Sequence, residues 1–457
     1  MGNCRPRALT ILGALLAGLV TAAATPGGAA AANWPQFQAG PTLRGFTADE
    51  NGLSPTTVGG LQANWTSPAD STPVNQAVVV NGVLYQLTVQ GTLSAIDLRT
   101  HATKWAVTVD ESGASDIAVR HGRVFVAGAR TFVAHPDDYD LTTISTLRAY
   151  RAGNGALLWS ADTDAPGTIS GPTVAGGVVY VARGQFQGAY FLEAYRTRCG
   201  TGGATCAPIW RGVLSDFEGE TPPSAPAVAG GKVLVQTAGT VSAFRVGCAP
   251  SGPFCPPDWE STPSEADPHG VNPRTVVVYG GLVYAGSAAG VNVYDLAGCG
   301  GPSVCAPVRV LDDGTGNDVF GLAVDNRFVW AFDRNGKVNG YARACTAATC
   351  APACSTPSFA PSDQTFLPSA PPVLANGVLY IRRPNGRIDD VVEAYDIRKC
   401  RAGATLPPPL WSVTVPEHRT AAPTVTGGAV YVPFPSPLST PSPGPGFVVY
   451  MLPVGGP

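Results

Sequence analysis

The stretch Val78-Val79-Val80-Asn81-Gly82-Val83-Leu84-Tyr85 decides the fold, because the chain repeats it. Its plainest other copies run from Val174 to Val181 and from Val425 to Val432. Each copy places two apolar strands around a turn that contains glycine, and the copies recur roughly 43 to 54 residues apart. A period of this length with four short strands per unit predicts a β-propeller.

The unit that starts at Pro73 serves as the template for one blade. Its pattern predicts strand a at 76–80, strand b at 83–89, strand c at 92–98 and strand d at 103–109, with Trp105 in strand d. Asn81-Gly82 favours a hairpin turn, since both residues tolerate positive φ. Similar units begin near Asp116, Ile169, Pro223, Asn272, Asp318, Pro368 and Arg419. The sequence therefore predicts an all-β fold with eight blades of four antiparallel strands.

The last unit lacks a strand d, and the start of the chain offers a replacement. Strand c of that unit ends near Leu452, and no strand with a Trp follows it. Residues 61–67 carry Trp65 at the position where such a strand needs it. We predict that this segment completes the last blade and closes the ring, which hides the sheet edges of an open array. Seven blades, with one unit misread, is the alternative.

The first 32 residues have the features of a secretory signal peptide. Arg5 and Arg7 precede an apolar stretch, and Ala30-Ala31-Ala32 supplies small residues for cleavage before Asn33. A membrane anchor is the alternative, but the apolar run is short for a bilayer span. Cys4 precedes the apolar stretch, which argues against a lipoprotein. We expect a secreted protein with a single domain at 33–457 and no membrane span.

Composition excludes some partners. The formal net charge of −3 becomes −5 once Arg5 and Arg7 are removed with the signal peptide. A mildly acidic chain is a poor ligand for nucleic acid, which calls for a basic stripe. We expect a monomer.

Cysteine spacing agrees with export. Four close pairs are expected to form disulfides: Cys199/Cys206, Cys248/Cys255, Cys299/Cys305 and Cys345/Cys350. Zinc is the alternative, but the spacing lacks a CxxC pattern and no His lies beside the pairs. Cys354 stands where strand d of blade 6 should carry its Trp, and Cys400 begins the blade 7 hairpin. Three alternatives are open for these two residues. They pair with each other across adjacent blades, they are separate free thiols, or Cys354 competes for Cys345.

The strand c to strand d phrases resemble the repeat of pyrroloquinoline quinone (PQQ) type propellers. The resemblance rests on Ala95-Ile96-Asp97 leading to Trp105, Ala149-Tyr150-Arg151 leading to Trp159, and Ala394-Tyr395-Asp396 leading to Trp411. The opening Asn33-Trp34-Pro35-Gln36-Phe37 is also similar to the start of many exported proteins with these repeats. The resemblance covers nearly the whole mature chain and implies the fold more strongly than any activity.

Quinoprotein dehydrogenases of this family hold the quinone with calcium in the central channel, often against a disulfide between adjacent cysteines. This chain has no adjacent cysteines, and no Glu, Asn and Asp match the family's calcium ligands residue by residue. Other members of the family serve as binding or assembly platforms. The resemblance therefore leaves both an enzyme and a scaffold open, and we expect no cofactor and no metal.

In a propeller, the b–c turns and d–a connections share one face, here called the loop face. The c–d turns with their cysteines lie on the opposite one, here called the hairpin face. Because loops on a rigid scaffold carry function, we expect the binding surface on the loop face. Its candidate residues are His135, Asp137, Asp138, Asp140, Glu265, Asp267, His269, Arg274, Asp312, Asp313, Asp318, Arg387, Asp389, Glu417 and His418. Blade 7 adds Arg382, Arg383 and Asp390 to this set. Solvated turns are the alternative for the acidic clusters, including the oxygen-rich run 312–318.

Three functions remain in view. The first is a secreted scaffold, without catalysis, that binds a protein or a cell-wall polysaccharide. The second is an alcohol or sugar dehydrogenase that uses PQQ and calcium. The third is a polysaccharide-active enzyme that uses carboxylates on the loop face. The arrangement of side chains at the channel mouth separates them.

Overall fold

Eight small antiparallel sheets follow one another along the chain and form an eight-bladed β-propeller. The structure is a computed structural model, and it describes residues 33–109, 116–133, 141–185, 190–214, 223–237, 239–248, 254–263, 276–288, 290–300, 304–333, 336–357, 370–385, 389–416, 421–435 and 445–453. The expected signal peptide at 1–32 lies outside them. The prediction of eight blades is confirmed, and the alternative of seven is excluded.

The innermost strand of each blade, strand a, is short and apolar. From blade 1 to blade 8 these strands are Val78–Val80, Ile117–Arg120, Thr173–Ala175, Ala227–Ala229, Val276–Tyr279, Val319–Val324, Val373–Ala375 and Thr424–Thr426. Successive strands a contact one another, so they line the central channel in chain order. Between blades 8 and 1, the Thr424 hydroxyl donates a hydrogen bond to the Ala77 carbonyl at 2.8 Å.

Strands b and c form the buried middle of each blade. Strands b are Val83–Leu87, Arg123–Val133, Val178–Gln185, Lys232–Thr237, Leu282–Ser287, Phe328–Asp333, Val378–Asn385 and Ala429–Phe434. Strands c are Thr92–Asp97, Leu141–Arg151, Tyr190–Arg196, Thr240–Arg245, Gly290–Asp295, Val338–Ala342, Asp389–Asp396 and Gly446–Met451. Their Val, Leu, Tyr and Phe side chains are buried on both faces of the blade, because each blade packs between two others.

Strand d is the outermost strand of each blade. Strands d of blades 1 to 7 are Thr103–Thr108, Leu157–Ile169, Trp210–Leu214, Trp259–Ser261, Arg309–Leu311, Cys354–Ser355 and Trp411–Val415. Blade 8 takes its strand d from the start of the chain, because Gln62–Thr66 pairs antiparallel with Gly446–Met451. The predicted ring closure is therefore confirmed.

The remaining elements are short. Strand Phe46–Thr47 pairs parallel with strand a of blade 7. Three-residue 3-10 helices lie at Phe37–Ala39, Val58–Gly60 and Ile397–Lys399. Within the described ranges, no helix is long and apolar enough to cross a bilayer.

The cysteine hairpins brace the outer rim. All four predicted close pairs form disulfides, and Cys354 pairs with Cys400 of the next blade. Four hairpins of blades 3, 5, 6 and 7 add a short parallel strand to strand d of the preceding blade, and these rim strands are Ala204–Thr205, Val304–Cys305, Thr349–Cys350 and Ala404–Thr405. The blade 4 hairpin makes an isolated bridge of the same kind, from Cys255 to Gly212. Each hairpin therefore ties its own blade to the one before it.

The side chain at one register position of strand d contacts the following blade, whereas the hairpins contact the preceding one. Trp105, Trp159, Trp210 and Trp259 each donate an indole hydrogen bond to a backbone carbonyl in the next blade. Arg309 holds this position in blade 5 and donates to the Cys345 carbonyl. Cys354 holds it in blade 6, where the disulfide replaces the indole contact. These Trp side chains therefore dock between neighbouring blades.

Candidate functional site

Apart from Arg382, Arg383 and Asp390 of blade 7, the structure describes four of the predicted loop-face residues: Asp312, Asp313, Asp318 and Asp389. The other predicted residues lie outside the described part of the chain, namely His135, Asp137, Asp138, Asp140, Glu265, Asp267, His269, Arg274, Arg387, Glu417 and His418. For these, a role in binding stays a prediction.

The run 312–318 is a turn that its own carboxylates organise. Asp312 accepts a hydrogen bond from the Gly314 amide at 2.7 Å, and Asp313 accepts one from the Thr315 amide at 3.0 Å. Such turns satisfy backbone donors locally. The carboxylates therefore have a structural use in the turn, in line with the alternative of a solvated turn.

Asp313 lies between blades 5 and 6 and also binds side chains of blade 6. Its second oxygen accepts a hydrogen bond from Asn339 at 3.0 Å and lies 3.6 Å from the Lys337 ammonium. Burial alone would raise the pKa of Asp313, but the hydrogen bonds from Thr315 and Asn339 and the charge of Lys337 hold it below its usual value. Asp313 is thus an ionised anchor at neutral pH.

The other two described residues differ in exposure. Asp318 directly precedes strand a of blade 6 and is buried. Asp389 begins strand c of blade 7 and is half-buried opposite Asn385. Hence the described candidates form no convergent group, and the loop face offers Asp389 and the turn at 314–316 as its accessible parts in this region.

Arg382, Arg383 and Asp390 are not loop residues, so their assignment to the loop face is wrong. They lie in strands b and c of blade 7, which extend further than the template unit. Arg382 pairs with Asp390 at 2.8 Å and donates to the Pro433 carbonyl of blade 8 at 3.2 Å. A buried guanidinium needs such a partner, because an unpaired one would carry a large desolvation penalty.

Arg383 points to the other side of the blade, since neighbouring strand residues alternate. It pairs with Glu393 at 2.8 Å, and the Tyr395 hydroxyl donates to the same carboxylate at 2.9 Å. Arg383 also donates to the Pro357 carbonyl of blade 6 at 3.1 Å. The two arginines therefore link blade 7 to both of its neighbours.

Blade 3 repeats this triad. Arg183 pairs with Glu193 at 2.7 Å, and the Tyr195 hydroxyl donates to Glu193 at 2.6 Å. Arg183 further donates to backbone carbonyls of blade 2 at Ser145 and Ala161. Because their ion pairs and hydrogen bonds link neighbouring blades, the triads are structural.

The central channel contains a segment that the sequence analysis did not assign. Residues 34–50, called the channel segment below, run along the free edges of the strands a. The Trp34 amide donates to the Val79 carbonyl at 2.7 Å, and the Val79 amide donates back at 3.0 Å. The same kind of contact follows in every later blade, through the amides of Val119, Val174, Val228, Val278, Val324, Leu374 and Gly428.

The acceptors follow the chain in order around the ring. They are the carbonyls of Pro35, Pro41, Thr42, Arg44 and Gly45, together with the side chains of Gln36 for blade 3 and Glu50 for blade 8. One segment thus accepts a hydrogen bond from a strand a amide in each of blades 1 to 7, and from the Gly428 amide in the a–b turn of blade 8. A buried donor without such an acceptor would be costly.

Asp116 lies where the channel meets the loop face. It directly precedes strand a of blade 2 and accepts a hydrogen bond from the Gln76 amide at 3.2 Å. The Gln76 side chain accepts from the Gln38 amide of the channel segment at 2.9 Å. Burial raises the pKa of Asp116 to about 6. Asp116 stands in no motif, so it was not predicted from the sequence.

Quinone and calcium, which the resemblance implies for an enzyme, would need ligands that converge at the central channel. No three His, Cys, Asp or Glu side chains come together within the described ranges as a metal would need. The strand edges that face the channel are occupied by the channel segment. All ten cysteines after residue 32 are in disulfides between non-adjacent positions.

Comparison with known proteins agrees with the repeat. The family model described as outer membrane protein assembly factor BamB matches residues 143–298. This match assigns repeats of the PQQ type to residues 143–298. No curated protein sequence matches it significantly.

Solved propellers superpose on most of this chain at low sequence identity. A quinohemoprotein alcohol dehydrogenase from Pseudomonas putida is 14% identical, with a TM-score of 0.64, over 93% of this chain and 81% of that one. A second such dehydrogenase, from Comamonas testosteroni, is 13% identical, with a TM-score of 0.60, over 92% and 80%. BamB from Moraxella catarrhalis is 13% identical, with a TM-score of 0.57, over 86% and 99%. At these identities the likeness establishes the fold alone.

Proposed function

We propose that this chain is an exported scaffold that binds a protein partner through its loop face and has no catalytic activity of its own. The channel segment carries the proposal, because it occupies the strand edges that face the channel, where the family's quinone chemistry takes place. The lack of a metal-binding trio among the described residues supports the same reading.

The rigidity of the framework also favours a scaffold. Five disulfides, the repeated strand d contacts and the channel segment fix each blade to its neighbours. A fixed framework presents its connections without a large ordering cost on binding. The match of residues 143–298 to an assembly factor is in keeping with a protein partner.

The first test separates the scaffold from a dehydrogenase. Purified protein is mixed with PQQ and calcium, and dye-linked oxidation of ethanol and glucose is measured together with the quinone absorbance. We expect neither oxidation nor a spectral change. Turnover that depends on both PQQ and calcium would replace the scaffold with the enzyme.

The second test locates the binding face and the class of partner. A photo-crosslinking amino acid is placed at Gln90, an exposed b–c turn residue on the loop face, and in a control variant at Thr100, an exposed c–d turn residue of the same blade. In the source cells, we expect a discrete protein adduct from position 90 and none from position 100. Adducts from both positions alike, or binding on a glycan array without any protein adduct, would overturn the proposal.

A further inference from the structure

A cluster of arginines lies on the hairpin face, away from the proposed partner surface. Three of them stand side by side in blade 2, where Arg120 of strand a pairs in register with Arg123 of strand b, and Arg123 with Arg151 of strand c. Like charges directly opposite each other on a sheet are destabilising. This row therefore has an energetic cost that packing alone does not explain.

In blades 1 and 7 the same row contains no arginines and has no such repulsion. In blade 1 it reads Val80, Val83 and Asp97, and in blade 7 it reads Ala375, Val378 and Asp396. The aspartate caps the following c–d turn by accepting backbone hydrogen bonds, as Asp97 does from Arg99 and Thr100. Blades 2 and 3 replace this aspartate with Arg151 and Arg196.

Blade 4 also has an arginine at this position, but there the charge is neutralised. Asp258 lies 2.8 Å from Arg245 and 2.5 Å from Lys232. In the described part of blades 2 and 3, Arg120, Arg123, Arg151, Arg196 and Arg198 have no carboxylate within salt-bridge distance. The five described arginines thus carry positive charge that no salt bridge neutralises, in a chain whose net charge is negative.

Two arginines of the cluster, Arg196 and Arg198, line a cavity at the junction of the two blades. The cavity has a volume of about 320 Å³ and is lined by His121 from blade 2 and by Gly177, Arg196, Thr197 and Arg198 from blade 3. Burial, followed by the nearby charges of Arg198 and Arg151, lowers the pKa of Arg123. The guanidinium groups of both blades therefore act on one small region.

Local contacts hold in place the backbone that carries Arg196 and Arg198. Thr197 donates its amide and its hydroxyl to the Gly177 carbonyl, at 2.9 and 3.0 Å. The Trp159 indole of blade 2 donates to the Thr197 carbonyl at 3.2 Å. Arg198 directly precedes the Cys199–Cys206 disulfide. Such preorganisation lowers the cost of binding.

We propose that this cavity, the arginine cleft, binds a phosphomonoester group. Every strong cation of the cleft is Arg, whose planar fork matches oxyanions in a bidentate way. A phosphomonoester carries about two negative charges and three terminal oxygens at neutral pH. It can therefore accept hydrogen bonds from several guanidinium groups at once. A carboxylate has one charge and two oxygens, so it can pair with fewer guanidinium groups.

The test uses the residue that the sibling blades carry. Arg151→Asp and Arg196→Asp are combined, and Arg401→Asp is the control, because Arg401 is exposed on the hairpin face of blade 7. Binding of glucose 6-phosphate, a phosphoserine peptide and gluconate is measured by calorimetry at constant ionic strength. The sugar phosphate and the peptide distinguish the two sources of a phosphomonoester.

We expect wild type and the control to bind at least one of the two phosphomonoesters, and gluconate at least tenfold more weakly. The double variant should lose at least tenfold in affinity, since each charge-assisted bond contributes about tenfold or more. Its thermal midpoint should stay equal or rise, because the repulsion is relieved. Equal binding by the double variant and wild type, gluconate binding as tight as the phosphate esters, or no binding of either ester would overturn the proposal.

Discussion

At the channel, one segment contacts all eight blades in turn, whereas at the rim each blade is tied only to its neighbours. The rim contacts recur because they belong to the repeated unit: a strand d residue reaches forward, and a hairpin reaches back. The channel segment occurs once and joins distant blades directly. The two regions therefore stabilise the ring in different ways, locally at the rim and globally at the channel.

The largest effect is expected at the one rim contact that is covalent between blades. Cys354–Cys400 closes a loop of 46 residues, whereas Cys345–Cys350 closes a loop of 5. In the chain-entropy model, replacing both cysteines with Ala should cost about 4 kcal/mol of unfolding free energy for the first pair and about 2 kcal/mol for the second. Denaturant unfolding of the two double variants measures this difference. If the two double variants lost equal unfolding free energy, the cross-blade disulfide would stabilise the fold no more than a disulfide within one hairpin.

A point change in the channel segment should also be costly. Gly45 has φ +59°, and a Cβ there would lie 2.7 Å from the Pro372 carbonyl oxygen. Gly45→Ala should therefore cost about 3 kcal/mol, from the left-handed conformation and the overlap together. Gly40→Ala in the same segment is the control, since nothing lies within 4 Å of its Cβ position. Denaturant unfolding in which the two variants lose equally would contradict the docked position of the segment.

Carboxylates of the two regions should respond to pH with opposite sign. The pKa of Asp116 is raised to about 6, so its ionised form destabilises the folded state above that pH and has no cost below pH 4. Asp116→Asn should add about 2 kcal/mol at pH 8 and nothing at pH 4.

Asp97, in the c–d turn at the rim, is the counterpart. Backbone hydrogen bonds, first that from Thr100, lower its pKa, so its ionised form stabilises the fold at neutral pH. Asp97→Asn should lose stability at pH 8, and the loss should shrink as the pH falls below 4. Thermal midpoints measured from about pH 2 to pH 8 test both variants. If the two variants changed stability in the same direction at pH 8, the prediction would be contradicted.

The smallest effect concerns a single rim hydrogen bond. Trp259→Phe removes the indole donor to the Leu296 carbonyl, at 3.2 Å, and retains an aromatic ring. The cost should be about 1 kcal/mol in denaturant unfolding. Trp411→Phe is the control, because Trp411 meets Tyr450 edge-on at 5.0 Å and keeps that contact as Phe. A larger loss in the control would show that ring packing, and not the hydrogen bond, fixes the junction.

The rim could be predicted from the sequence because its contacts repeat with a fixed spacing. Trp65 at the start of the chain revealed the closing strand, since it stands where every strand d carries its docking residue. Cys354 at the Trp position likewise placed its bond to Cys400 among the alternatives. Because the unit repeats, each of these residues could be recognised by comparison with the same position in the other blades.

The channel and the buried arginines could not be predicted in the same way. Residues 34–50 bind through backbone groups and occur once, so no pattern marks their partners. Arg382 and Arg383 look like loop residues because charge usually indicates solvent, yet Asp390 and Glu393 pair with them inside the blade. The spacing shared by Arg183, Glu193 and Tyr195 with Arg383, Glu393 and Tyr395 was the available signal.

The channel segment is tested most directly by amide hydrogen exchange at the strands a. The amides of Val79, Val119, Val228, Val278 and Val324 donate to this segment. We predict slow exchange at these positions in the intact chain and faster exchange in Gly45→Ala, with the amides of strands b and c unchanged. Rapid exchange in the intact chain, or protection that the variant leaves unaltered, would contradict the claim that one segment joins all eight blades.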